Sequence, residues 1–420
     1  MRKNLTQAVL LFVLFFLEIQ LLFRFKTNLI GLISFLGNSG ENNYDEIVIN
    51  LIGSIAFSIL QIINLFLTNT ILNILDRKKL KFVSRIFHCS LSQISESINR
   101  MMTFILSTDC HWGSTQHTNK IKAANTAEGL IACAYAQESG HSINQSGKDI
   151  IKKCADNVLA VLEEEGYKIY PKDAYTVHGT GMILFALYKI SEAGLYEISN
   201  QNEEKIRKSL KHLLDTANQY GWQFENKQFG DTQRARNIST LWALRALNAW
   251  GYSGHKKYYE ILESITNNNR GLLGFSCNGE ARSSVTALLY TLVNEIQNER
   301  TKDLILRSIE KKQILCFLIK SLHEEAEFEN IEIITPNHQS LPWTHLSSCM
   351  SYEALSTMID DMNIFQTIVF SYNLGKMLKR VDVNHNYYNV HSMSFNHTNP
   401  FIYPTTYLLM ALCKIQKEGK

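Results

Sequence analysis

The sequence predicts an all-helical protein: an (α/α)6 toroid of six helical hairpins, preceded by two transmembrane helices and an amphipathic connecting helix. Three observations carry this expectation. Two long apolar segments open the chain, an apolar helix led by a hydroxyl residue recurs six times downstream, and a one-faced helix runs between successive copies. The 420 residues are enough to bury a large core, and with only 5 prolines and few alternating β-branched runs the chain reads as helix throughout.

The first element is the membrane hairpin, assigned to residues 1–76. "QAVLLFVLFFLEIQLLF" (7–23) and "IVINLIGSIAFSILQIINLFL" (47–67) are each long enough to cross a hydrocarbon core, which needs roughly 17 to 25 residues. Arg2 and Lys3 precede the first segment, and Arg77, Lys78, Lys79 and Lys81 follow the second. By the lysine and arginine count both ends face the cytoplasm, so the expected location is the inner membrane with the toroid on the cytoplasmic side. No small-residue cleavage site follows the first segment, which argues against a secretory signal. Residues 77–107 form the connector, with Leu80, Val83, Phe87, Leu91, Ile94, Ile98, Met101 and Ile105 at helical spacing.

Residues 108–420 hold the repeats. Aligned on the hydroxyl residue, the six copies begin at Lys122, Thr176, Arg236, Arg282, Ser347 and Ile402, with anchors Thr126, Thr180, Thr240, Thr286, Ser351 and Thr406. Between anchors lie amphipathic helices expected at 148–164, 203–218 and 301–322. A hairpin of this kind cannot bury its all-round apolar helix alone, so the copies must stack, and six of them can close a ring. Eight scattered cysteines without a CxxC pair suit a reducing compartment better than a disulfide framework. The net charge of +3 excludes a polyelectrolyte built for a nucleic-acid duplex.

With "YGW" (220–222) and "GLLGF" (271–275) in the loops and a hydroxyl residue near each inner helix start, residues 108–420 resemble the terpenoid cyclase and protein prenyltransferase β-subunit superfamily. The hairpin count is shared with lanthionine cyclases and six-hairpin glycosidases. The resemblance implies, in cyclases that protonate their substrate, an aspartate cluster of the DxDDT type whose threonine matches the anchor. None of the six copies has an acid four, two or one residues before its anchor; the first, for example, has Lys122, Ala124 and Asn125. The prenyltransferase branch implies zinc held by Asp, Cys and His. Cys349, His345 and His178 are present without the aspartate, so no metal and no cofactor is expected.

What remains is a set of cations. Lys122, Arg236 and Arg282 stand four residues before their anchors, with Arg234 close by. In a toroid the inner helices run parallel, so their electropositive amino ends gather at one mouth, and cations there sharpen an anion site. His178, His345 and Trp343 supply walls above an apolar floor. The bland alternative pairs the cations with Glu128, Asp231 or Glu280. The sequence therefore favours a membrane-anchored, non-catalytic sensor or effector, of the kind used in stress or phage defence. Its partners would be the lipid membrane, an anionic small molecule or lipid, and further copies of itself. The alternatives are an enzyme on an isoprenoid or lipid substrate, with His178, His345 or Glu128 as general acid or base, and a protein-binding scaffold.

Overall fold

The computed structural model describes residues 88–107, 123–169, 174–223, 235–267, 270–275, 279–323, 333–334, 340–341, 346–381 and 402–418. Both expected membrane segments lie outside them, and among the described residues no helix is long and apolar enough to cross a membrane. The chain divides into one compact unit of Ser84–Met362 with Val369–Lys420 and another of Met1–Val83 with Asn363–Ile368. The first unit carries the features below, with the helix Ile364–Lys379 belonging to it from Val369 onward.

Six helices bury nearly every face: α2 (Ala123–Glu138), α4 (Val177–Glu192), α6 (Asn237–Ala249), α8 (Ser283–Glu295), α11 (Leu346–Ser356) and α13 (Ile402–Glu418). Each packs on the next in that order, and α13 packs on α2, so the circuit of contacts closes on itself. Around them run α1 (Leu91–Ser107), α3 (Gln145–Val161), α5 (Asn200–Thr216), α7 (Lys256–Asn267), α9 (Glu299–Ser308), α10 (Lys311–His323) and α12 (Ile364–Lys379). The one-faced members bury a stripe, as α5 does with Ile206, Leu210, Leu213 and Leu214. Short strands β1 (Leu162–Glu163), β2 (Gly166–Lys168) and β3 (Tyr175–Thr176) form an antiparallel sheet in that order, and β4 (Ile333–Ile334) pairs with β5 (Ser340–Leu341).

Inner and outer helices start in different ways. Outer helices use side-chain caps: Asn144 accepts from Gly147 N–H, Ser199 from Asn202 N–H, and Asn298 from Thr301 N–H. The inner helices α4, α6 and α8 have Thr176, Arg236 and Arg282 at the cap with no side-chain bond. There the anchor threonine clasps the preceding loop. Trp222 N–H donates to Thr240 Oγ1 at 3.0 Å, the hydroxyl points back to Trp222 O at 3.3 Å, and Arg236 N–H donates to Trp222 O at 2.8 Å. Leu273, Thr286 and Arg282 repeat this arrangement at 3.0, 3.3 and 2.8 Å. Tyr167 N–H donates to Thr180 Oγ1 at 2.9 Å, while Tyr167 pairs with Thr176 across β2 and β3. All six anchors are buried, and at Thr180, Thr240 and Thr286 the hydroxyl is a folding device. Gly221 in "YGW" is required by it: φ is +96° and a Cβ there would lie 2.4 Å from Thr240 Oγ1.

Three expectations are corrected. The helix expected over 301–322 is two helices, because Glu310 N–H donates to Arg270 O and Arg270 pairs with the Glu310 carboxylate at 3.3 Å, which breaks the run between Ser308 and Lys311. The connector is not one continuous helix from Leu80: His88 has φ +53° and α1 begins only at Leu91, with Gln93 accepting from Ser90 N–H. Cys154 is disulfide-bonded, although Cys89, Cys133, Cys349 and Cys413 are free thiols. Spacing gave no sign of that bond.

Candidate functional site

The inner helices present two layers seven residues apart, about 10.5 Å along a helix axis. The lower layer is an ionic hub. Arg245 on α6 is 1% exposed and donates from Nε to Glu295 Oε2 at 2.7 Å and from Nη2 to Glu295 Oε1 at 2.8 Å, Glu353 Oε1 at 2.9 Å and the Tyr135 hydroxyl at 2.6 Å. Lys414 Nζ reaches Glu295 Oε1 at 2.7 Å and Glu353 Oε1 at 3.4 Å. Phe185 packs its ring 4.4 Å from the guanidinium carbon. Each of the six inner helices thus contributes one side chain: Tyr135, Phe185, Arg245, Glu295, Glu353 and Lys414. Two cations balance two carboxylates. Burial alone would raise the Glu295 carboxyl, but Arg245 and Lys414 overcome it and hold the group far below the usual carboxylate range. The floor expected to be apolar is therefore a salt-bridged plug.

Seven residues toward the amino ends stand Glu128 on α2, His178 on α4 and Tyr407 on α13. Glu128 keeps part of its surface accessible on a helix whose neighbouring turns are buried, and Ala124 and Asn125 on the same face are half-buried as well. Burial pushes its carboxyl up to about 8, with a hydrogen bond to Tyr407 pulling partly the other way. At neutral pH it is a protonated acid. Burial likewise brings the His178 imidazole down to about 4, so that ring is neutral. It lies 6.3 Å, centroid to centroid, from Trp242, whose buried Nε1 has no acceptor among the described residues. Ser239 and Ser351, next to or at the anchors of α6 and α11, also hold buried hydroxyls with no partner there. This layer offers uncharged donors in apolar surroundings.

Of the residues expected from sequence, Arg236 is exposed and Arg282 half-buried at the caps of neighbouring α6 and α8. Neither is in an ion pair with a described residue, and Glu128 is engaged with Tyr407. Lys122, Arg234, Trp343 and His345 lie outside the described residues. Cys349 is fully buried with its thiol pushed up by desolvation, and among the described residues no three His, Cys, Asp or Glu side chains converge to hold a metal. The sequence reading missed the hub. Arg245 sits inside the apolar string "ALRAL", and its partners are 50 to 110 residues away in the chain.

A type II terpene cyclase from Scytonema, in its apo form, superposes with a TM-score of 0.51 at 12% identity, covering 78% of this chain and 98% of that one. The fold is terpenoid-cyclase-like. Structures of that cyclase with geranylgeranyl dihydroxybenzoate, its substrate, and with merosterolic acid A, its product, are similar at TM-scores of 0.49 and identities of 10% and 11%. No protein-family model and no curated protein matches the chain.

Proposed function

We propose that residues 108–420 form an (α/α)6 toroid that binds an isoprenoid or similar lipid at the amino ends of its inner helices and acts on it, with Glu128 as proton donor. What carries this reading is the position of half-buried Glu128 on the partly exposed face of an inner helix, where burial pushes its carboxyl up to about 8. An acid of that strength gives its proton to an oxygen, such as an alcohol, carbonyl or epoxide, far more readily than to an isolated double bond. The substrate class is accordingly an oxygenated lipid, in keeping with the missing aspartate cluster. After transfer the Glu128 carboxylate keeps the Tyr407 hydroxyl as a donor. Trp242 Nε1 and neutral His178 are available to orient the ligand oxygen, and Arg236 and Arg282 suit an anionic headgroup at the rim.

The reading as a non-catalytic sensor rests on the missing aspartate and zinc motifs, the rim cations and domain order, whereas a half-buried acid raised to about 8 favours an enzyme. The membrane hairpin at 1–76 would hold the toroid where such lipids reside. Its cytoplasmic placement follows from the basic flanks, and the Cys154 disulfide is the feature that argues for an oxidising side. Thiol alkylation of membranes with the outer face sealed distinguishes the two.

The test of function is native mass spectrometry of the full detergent-solubilised chain for a co-purified lipid, followed by turnover of oxygenated prenyl lipids. Glu128→Gln is expected to keep the bound mass and to lose turnover by about 10²-fold or more. Unchanged turnover in that variant, or no lipid retained by the wild type, would overturn the proposal.

A further inference from the structure

The inner helices have a second end. Below the ionic hub, where α2, α4, α6, α8 and α13 finish, lies a cavity of about 440 Å³, within the range of small-molecule sites. Its walls mix the aromatic rings of Tyr135, Phe185 and Tyr188 with carboxylates from Glu138, Glu192 and Glu295. Five helix carboxyl ends add partial negative charge. Two of the three lysines that line it are already engaged. Lys189 bridges Glu138 and Glu192, each at 2.5 Å, and Lys414 bridges Glu295 and Glu353. The two ammonium groups lie 5.5 and 5.2 Å from the Tyr135 ring, so the protein's own amines already use the ring as a cation platform. An anion entering here meets four carboxylates, Glu418 among them, and helix carbonyl ends, against a single lysine, the exposed Lys417, that is in no ion pair with a described residue. A cation meets aromatic faces, and carboxylate oxygens with lone pairs left over.

From this geometry we infer that the carboxyl-end cavity is a binding site for a small organic cation bearing a primary ammonium group, separate from the amino-end site and walled off from it by the hub. An ammonium ligand would join Lys189 between Glu138 and Glu192, beside the Tyr188 hydroxyl that bonds Glu192 at 3.3 Å. Because Glu295 both lines the cavity and grips Arg245, occupancy there would bear directly on the hub.

Calorimetric titration of the full detergent-solubilised chain with putrescine and spermidine at about 0.15 M salt tests this, with inorganic pyrophosphate as the opposite-charge probe. One saturable site for the amines is expected, together with none for pyrophosphate. Glu192→Gln, at a largely exposed carboxylate, should weaken amine binding by about tenfold, and Glu138→Gln should do the same if the first variant folds poorly. The inference is overturned by pyrophosphate binding in place of amines, by no saturable amine binding, or by unchanged affinity in a folded variant.

Discussion

Replacing Arg245 with methionine removes the one side chain that touches hub partners on four other inner helices. The methionine fills similar volume, so the loss is electrostatic. Glu353 and Glu295 keep Lys414, but two carboxylates then share one ammonium, with Glu353 only 3.4 Å from it and almost wholly buried. Breaking a buried pair by deleting one partner costs about 3–5 kcal/mol, chiefly the penalty of the charge left behind. For a domain this large about 2 °C of melting temperature accompanies each kcal/mol, so a drop of about 6–10 °C is expected by scanning calorimetry or circular dichroism. A second substitution, Glu353→Gln, removes the stranded charge and should recover at least about 1 kcal/mol of what Arg245→Met loses. Such coupling between positions 108 residues apart arises only if Arg245 and Glu353 meet in the folded chain. Additive effects, or a loss from Arg245→Met below about 1 kcal/mol, would refute the hub.

Other outcomes follow from the same geometry. Thr240→Val keeps the shape of the clasp but deprives Trp222 N–H of its acceptor, and denaturant titration should show a loss of about 1–3 kcal/mol. Gly221→Ala forces a Cβ into Thr240 at a left-handed φ and should cost more than Thr240→Val in the same assay. The Glu128 carboxyl is raised on folding, so it lowers stability as pH climbs from its ordinary value of 4.5 to about 8 and has no further effect above. Glu128→Gln should therefore be the more stable protein at pH 8 and nearly equal to wild type at pH 4, as read from melting temperatures across that window.

The repeat was legible because its signal is local. A hydroxyl residue followed by an all-round apolar helix is enough to mark α2, α4, α6, α8, α11 and α13. What the hydroxyl does was hidden, because its partners sit 13 to 18 residues upstream, Tyr167 in the short strand β2 and Trp222 and Leu273 in loops. The split between α9 and α10 falls at an isoleucine and a glutamate, with no proline or glycine to announce it, and it is set by a backbone bond to Arg270. Arg236 is conspicuous in the sequence because it stands at the start of a helix. Arg245, nine residues on, reads as a blemish in an apolar stripe until folding brings Glu295 and Glu353 to it. Glu128 is legible in the sequence as a partner for an arginine and as one of three candidate acids or bases; its protonation depends on burial, which no spacing records.

The account depends most on the proton at Glu128. Carbon-13 NMR of the full chain labelled at glutamate carboxyls, with the resonance assigned by comparison with Glu128→Gln, should show one side chain titrating near pH 8 and protonated at pH 7. A Glu128 resonance that titrates between about pH 4 and 5, like an ordinary glutamate, would contradict it.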